Sequence, residues 1–302
     1  MPALSLQHIS KVYENLRAVD DISFEIEEGR MFGLLGPNGA GKTTTMRMIM
    51  NIIIPDQGKI ELFGEPFTEG HKRQIGYLPE ERGLYPKMKI LDHLTFLGEM
   101  KGMSGRAARD NAREWLARFD LADRANRLVN ELSKGLQQKI QFIGTILHRP
   151  RLLILDEPFS GLDPVNVKFL KDILLEMRRE GCTIILSTHL MEQAEKLCEQ
   201  ICLFNRGKIV LEGDLGEIRR RHGHNRVLLS YNGNGDQLAN LSMIAEKNDY
   251  GNYVEIHLHD NATPEDLFRA LAQTDLTISR FEASETSLND IFIELVEGLP
   301  HA

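Results

Sequence analysis

Cysteine is scarce: the 302-residue sequence has three, Cys182, Cys198 and Cys202. An odd number in a chain with ample core-forming residues argues against a disulfide scaffold and for a reducing compartment. Cys198 and Cys202 lack the paired spacing of a structural zinc site, so all three are expected to be buried apolar side chains. Long apolar runs are missing too, each being broken by charge well before the ~18 residues that a membrane-spanning helix needs. The opening Met1-Pro2-Ala3-Leu4-Ser5 has no basic stretch followed by an apolar one, which predicts no secretory signal. Together these absences predict a soluble chain that reaches any membrane through a partner. A basic excess is also absent, since 36 Lys and Arg against 44 Asp and Glu give a net charge of −8. Coating nucleic acid requires a basic surface, so no nucleic-acid partner is expected.

What the sequence does have is Gly36-Pro37-Asn38-Gly39-Ala40-Gly41-Lys42-Thr43, between the apolar run Met31–Leu35 and a helical pattern that begins Thr44-Thr45-Met46. The spacing fits G-x-x-x-x-G-K-[ST] in the strand, loop and helix context that this phosphate-binding loop requires. Glycines let the backbone aim successive N–H groups at an anion, with the helix N-terminus behind them. Lys42 would reach the β and γ phosphates, and Thr43 would offer its hydroxyl to Mg²⁺. Binding of a nucleoside triphosphate is the expectation.

Further along, Leu152-Leu153-Ile154-Leu155 ends in Asp156-Glu157. Four branched apolar residues followed by two acids describe a strand buried on both faces of a parallel sheet, with carboxylates at its C-terminal tip. Ligands of open α/β sheets bind at such tips. Asp156 is placed to hold Mg²⁺, and Glu157 to orient or deprotonate an attacking water. A second buried strand, Cys182 to Thr188, ends at His189, which either packs at the surface or contacts a γ-phosphate. Tyr13, twenty-three residues before Gly36, either packs or stacks on a nucleobase. Between Glu99 and Lys139, nine basic residues face six acidic ones, which fits a solvated helical face. Ser133 is a candidate cap for the helix that follows it.

In order, these segments resemble the nucleotide-binding subunits of ABC transporters, over residues from about Leu4 to about Gly216. Gly36 to Thr43 is similar to Walker A, with Thr44 next to it, and Leu152 to Glu157 to Walker B and its catalytic glutamate. Ser160 to Asp163 resembles the D-loop, His189 the switch histidine and Tyr13 the adenine-stacking aromatic. Leu132-Ser133-Lys134-Gly135-Leu136 resembles the LSGGQ signature but has Lys134 for its first glycine and Leu136 for its glutamine. Ser133 and Gly135 keep the hydroxyl and N–H that the family directs at a γ-phosphate. Glu80 stands where the family usually has the Q-loop glutamine; it would still approach Mg²⁺ but adds negative charge beside a polyanion. Leu78 to Tyr85, the Ser-Lys-Gly signature and the ending Ser287 to Phe292 resemble the sodium-export and drug-export (ABC-2 type) subgroup, which carries a small C-terminal domain.

The resemblance implies an α/β P-loop cassette: a mostly parallel core sheet, an antiparallel β subdomain and a helical subdomain at about residues 90–140, together spanning 1–218. A small α+β domain over 222–302 is expected to follow, with the basic stretch Arg219 to Arg226 as a solvated linker. It implies an ATPase in which Glu157, His189 and Lys42 are catalytic, with ATP and Mg²⁺ as cofactors. The partners implied are a second ATP-binding subunit, a homodimer being the simplest case, and an ABC-2 type membrane permease that would hold the chain at the cytoplasmic face of the membrane. Two other readings stay open: a non-transport ABC ATPase acting on nucleic acid or on a soluble assembly complex, and a nucleotide sensor with little turnover.

Overall fold

The computed structural model describes residues 2–81, 83–222, 226–239, 241–259, 262–284 and 287–297. They fall into two compact units, 1–213 and 214–302.

In the first unit, β1 (Pro2–Tyr13) and β2 (Leu16–Glu27) pair antiparallel. Ile22, Phe24 and Ile26 turn inward while their neighbours face solvent, the period-two pattern of a half-buried strand. β3 (Met31–Leu35) is buried throughout and leads through the glycine loop into α1 (Lys42–Ile49). β4 (Gln57–Leu62) and β5 (Glu65–Pro66) extend the antiparallel sheet to the order β2-β1-β4-β5. Then come β6 (Ile75–Leu78) and three helices, α2 (Ile90–Met100), α3 (Gly105–Arg118) and α4 (Lys134–Ile146). β7 (Leu152–Asp156), α5 (Pro164–Arg179), β8 (Thr183–Thr188), α6 (Met191–Glu195), β9 (Gln200–Asn205) and β10 (Lys208–Asp214) complete the unit.

The main sheet has the order β10-β9-β3-β8-β7-β6 and is parallel from β9 through to β6. β3, β7 and β8 are buried at every position, which is why they read as near-continuous apolar runs. Phe24 stacks on Phe32 at 5.3 Å, joining the antiparallel sheet to the main one. The three cysteines are buried free thiols. Burial pushes the thiols of Cys182 and Cys198 up to about 12.

A few specific contacts fasten the helical part to this sheet. The Lys101 ammonium, at the end of α2, donates to the carbonyls of Lys72 and Ile75, each at 2.7 Å. His148 Nε2 donates to the same Ile75 carbonyl at 3.2 Å. Arg118 of α3 makes a two-pronged bridge to Glu176 of α5, at 3.1 and 2.6 Å. Phe119 meets Phe169 edge-on at 4.9 Å.

The second unit starts with a helix, not a linker. α7 (Leu215–His222) contains Arg219, Arg220 and Arg221, which the sequence alone assigns to a solvated connection. The reason is that Leu215 and Ile218 are buried one turn apart, Asp214 accepts the Glu217 N–H at 3.1 Å, and Glu217 pairs with Arg221 at 3.4 Å. Gly223, His224 and Asn225, the rest of that stretch before Arg226, lie outside the described residues. Next come β11 (Arg226–Asn232), α8 (Asp236–Ala239), β12 (Ile244–Asp249), β13 (Val254–Leu258), α9 (Pro264–Leu271), β14 (Thr277–Ser284) and α10 (Leu288–Glu297). The sheet is antiparallel in the order β12-β13-β11-β14. Thr263 and Asp266 cap α9 reciprocally, and Arg226 joins β11 to Glu255 on β13 and Asp290 on α10. No helix among the described residues is long and apolar enough to cross a membrane.

His148 makes the first unit acid-sensitive. Burial, and then the charge of Lys101, push its imidazole down from 6.5 to about 4. The unfolded chain therefore takes up this proton first as pH falls, so the stability that neutral His148 contributes is complete above about 6.5 and lost on the way to about 4. The expected loss between pH 7 and pH 5 is about 2 kcal/mol. Urea unfolding of the parent and His148→Gln at both values measures it, and equal slopes would remove His148 as the source.

Candidate functional site

The strand order β3-β8-β7-β6 sets four C-terminal ends side by side. β3 opens the glycine loop, β8 is followed directly by His189, β7 ends at Asp156 with Glu157 next, and β6 runs into Glu80.

The loop is possible only with glycine at two points. Gly36 has φ 136°, and a Cβ there would meet the Phe204 carbonyl oxygen at 2.2 Å. Gly41 has φ 109°, and a Cβ would meet the Ala18 carbonyl oxygen at 2.6 Å. Gly41 is also the N-cap of α1 and no side chain caps the helix, which leaves the first N–H groups of α1 open to an anion. Ala40 N–H bonds the Pro37 carbonyl at 3.2 Å, and the Ala40 carbonyl accepts from Gly207 at 3.0 Å, which fixes the loop's shape. The buried Lys42 ammonium donates to the Gly36 and Pro37 carbonyls at 2.7 and 2.9 Å. Burial draws it below the ordinary lysine range, against the field of Glu157, Asp156 and Glu80, which acts in the opposite direction.

A cleft of about 350 Å³ lies over the loop, lined by Asn38, Gly39, Ala40, Gly41, Lys42, Thr43 and Thr44 with Tyr13, Glu80, Asp156 and Glu157. Leu16 and Ala18 line it beside Tyr13. Open helix N–H groups, a buried ammonium and a half-exposed aromatic at the rim fit a nucleoside polyphosphate in charge and shape. Thr43 donates to Asp156 Oδ2 at 2.9 Å, so a hydroxyl and a carboxylate, both hard oxygen donors, meet beside Lys42. No cluster of three or more His, Cys, Asp or Glu among the described residues would hold a metal by itself. One carboxylate and one hydroxyl are a fitting set for Mg²⁺ that is completed by phosphate oxygens and water.

Glu157 has left-handed backbone, φ 48°, a conformation costly for a non-glycine residue and common at active sites. Its Oε1 accepts from the His189 backbone N–H at 3.0 Å and lies 2.8 Å from His189 Nδ1. Glu80 borders both this cleft and a smaller one of about 180 Å³ shared with Asp156, Glu157 and Ser160. Ser133 and Gly135 are not part of this constellation. Ser133 starts α4, is exposed and caps nothing with its side chain; neither it nor Gly135 lines the cleft.

Sequence reasoning missed two glutamines of α4 that frame the site. Gln138 donates to the Pro158 carbonyl at 3.0 Å, and Gln141 to the carbonyls of Pro79 at 3.2 Å and Glu81 at 3.0 Å. Their signal was two amides three residues apart on a helix that otherwise turns apolar. Leu16 carried no signal, because a lone apolar residue after a turn looks like any hairpin position.

A phosphate loop and paired acids at adjacent strand ends of a parallel sheet define a P-loop nucleotide hydrolase. A family profile described as "ABC transporter" matches residues 19–160, and one described as "ATP-binding protein DrrA1-3-like, C-terminal domain" matches residues 213–296. The "Uncharacterized ABC transporter ATP-binding protein YhaQ" of Bacillus subtilis (strain 168) is 45% identical over 97% of this chain and 98% of its own length. The "Nod factor export ATP-binding protein I" of Burkholderia pseudomallei (strain K96243) is 37% identical over 70% of each chain. A solved "Structure of ATP binding subunit of ABC transporter" superposes with a TM-score of 0.68 at 32% identity, covering 72% of this chain and 92% of that one. The chain belongs to the ATP-binding subunits of ABC transporters, and is an ATPase of that family.

Two glycines separate the loop from the signature. Gly41→Ala is expected to lower the melting temperature and abolish stabilisation by ATP, since its Cβ would collide with backbone. Gly135→Ala, where a Cβ meets nothing within 4 Å, is expected to leave the melting temperature unchanged. Differential scanning fluorimetry of both variants checks this pair.

Proposed function

We propose that the protein is one half of an ATP-driven pair of cassettes that powers export through a separate membrane permease. One observation carries the reading: the cleft holds the loop and the acids, while Ser133, exposed, and Gly135, half-buried, stand elsewhere on the same chain and line no part of it. A site so divided is completed when two copies meet head to tail, each giving Ser133 and Gly135 to the other's nucleotide, and the homodimer is the simplest such pair.

In this reading Gly36 to Thr44 hold the triphosphate by backbone N–H groups, and Lys42 draws charge from the phosphates as it builds up in the transition state. Tyr13 stacks on the base. Thr43, Asp156 and Glu80 would hold Mg²⁺, which supplies charge neutralisation to the phosphate oxygens when bound. Glu157 orients and deprotonates the water that attacks in line, and His189 steadies Glu157 through the contact described above and senses the γ-phosphate. In this reading the cassette spans 1–218 and the smaller domain 222–302, a division set a few residues beyond the one between the compact units at Gly213 and Asp214. Export and an ABC-2 type permease rest on kinship, namely a relative named for Nod factor export and a C-terminal region matching the DrrA-like profile. The permease would hold the chain at the cytoplasmic face of the membrane.

Glu157→Gln is expected to lower turnover by about a hundredfold or more while ATP still binds and the dimer persists, because the general base is lost and the binding loop is kept. Lys42→Ala should lose ATP affinity instead; calorimetry and a phosphate-release assay separate the two. Pull-down of tagged protein from detergent-solubilised membranes should bring a multi-span partner in fixed ratio. Recovery of soluble proteins or nucleic acid alone, with ATPase activity intact, would overturn the transport role.

A further inference from the structure

β8 carries more than the histidine that follows it. After Ile184, Ile185 and Leu186 the strand changes to Ser187 and Thr188, which are as fully buried as the apolar residues before them. A hydroxyl in such a place destabilises the fold unless it is bonded. Each of these has one hydrogen to give, and each gives it to a different acid of the neighbouring strand. The parallel register sets Asp156 opposite Ser187. Ser187 Oγ donates to Asp156 Oδ1 at 2.6 Å. Thr188 Oγ1 donates to Glu157 Oε2 at 3.2 Å and accepts the Leu190 N–H at 3.0 Å, which fixes the direction of its hydroxyl.

From this geometry we infer that Ser187 and Thr188 are positioning residues with separate tasks, Ser187 setting the acid that serves the cation and Thr188 the acid that serves the water. The inference rests on the roles proposed for Asp156 and Glu157. Thr43 occupies Asp156 Oδ2, and in the proposed role its hydroxyl would serve Mg²⁺ instead. Ser187 on Oδ1 would then be the contact that keeps the carboxylate oriented. Thr188 acts on the other acid. His189 engages only Oε1 of Glu157, through its N–H and Nδ1. The carboxylate plane is fixed only when Oε2 is held as well, and Thr188 is the group that holds it.

The test compares Ser187→Ala, Thr188→Val and Thr188→Ser, each first shown to melt near the parent temperature. For Ser187→Ala, the ratio of ATP affinity with Mg²⁺ to that in EDTA, measured by calorimetry, should fall about tenfold. Thr188→Val should leave MgATP affinity unchanged and lower kcat about tenfold, and Thr188→Ser should restore kcat to within about twofold, since it keeps both bonds. In a Glu157→Gln background, Thr188→Val should add nothing. An unchanged affinity ratio in Ser187→Ala overturns its assignment, and a kcat for Thr188→Val equal to that of Thr188→Ser overturns the other. Glu157→Gln tests the base by itself: where it abolishes turnover and Thr188→Val does not slow it, the positioning claim fails and the base reading stands.

Discussion

The parallel ladder from β3 through β8 and β7 to β6 is the constraint on which the molecule depends. Parallel strands end on the same side, so their order alone brings Lys42, His189, Asp156, Glu157 and Glu80 to one edge from segments far apart in the chain. Two-sided burial holds that order, because strands with every residue inside cannot slip by one without exposing or clashing a full row. The carboxylates and hydroxyls at the edge then inherit their spacing from the ladder.

At the edge, charge is arranged against its own preference. A buried ammonium with carbonyls for partners, facing three carboxylates, is an unfavourable set by itself, and in the proposed role a polyanion carrying a cation would complete it. The loop supplies what the side chains lack, through backbone N–H groups brought close because Gly36 and Gly41 have no Cβ. The helical part frames this edge through amide contacts to loop carbonyls, so the Glu80 loop and the segment after Glu157 are both tied to one helix, α4. A shift of α4 therefore reaches two of the acids together.

The parts written as contiguous residue types were legible in sequence. The glycine loop, the acids after an apolar run, the helix at Ile90–Met100 and the final helix at Leu288–Glu297 each depend on neighbours within a turn or two. Lateral features were not. β12 is polar and pairs on one side only, so its residues show no buried alternation. α7 was hidden because its arginines dominate the composition, while the two residues that anchor it, Leu215 and Ile218, are few. Ser187 and Thr188 stood in plain view, but their partners are fixed by register, which no local pattern records. The gap between Ser133 and the loop is likewise a matter of three-dimensional path.

The three buried thiols have a practical consequence. With burial pushing the thiols of Cys182 and Cys198 up to about 12 and raising that of Cys202 well above the ordinary thiol range, almost no thiolate exists at neutral pH, and thiolate is the form that reacts. Maleimide probes would therefore pass over the native cysteines. A spectroscopic label placed at a single introduced surface cysteine would report the approach of two chains without first stripping the natural ones.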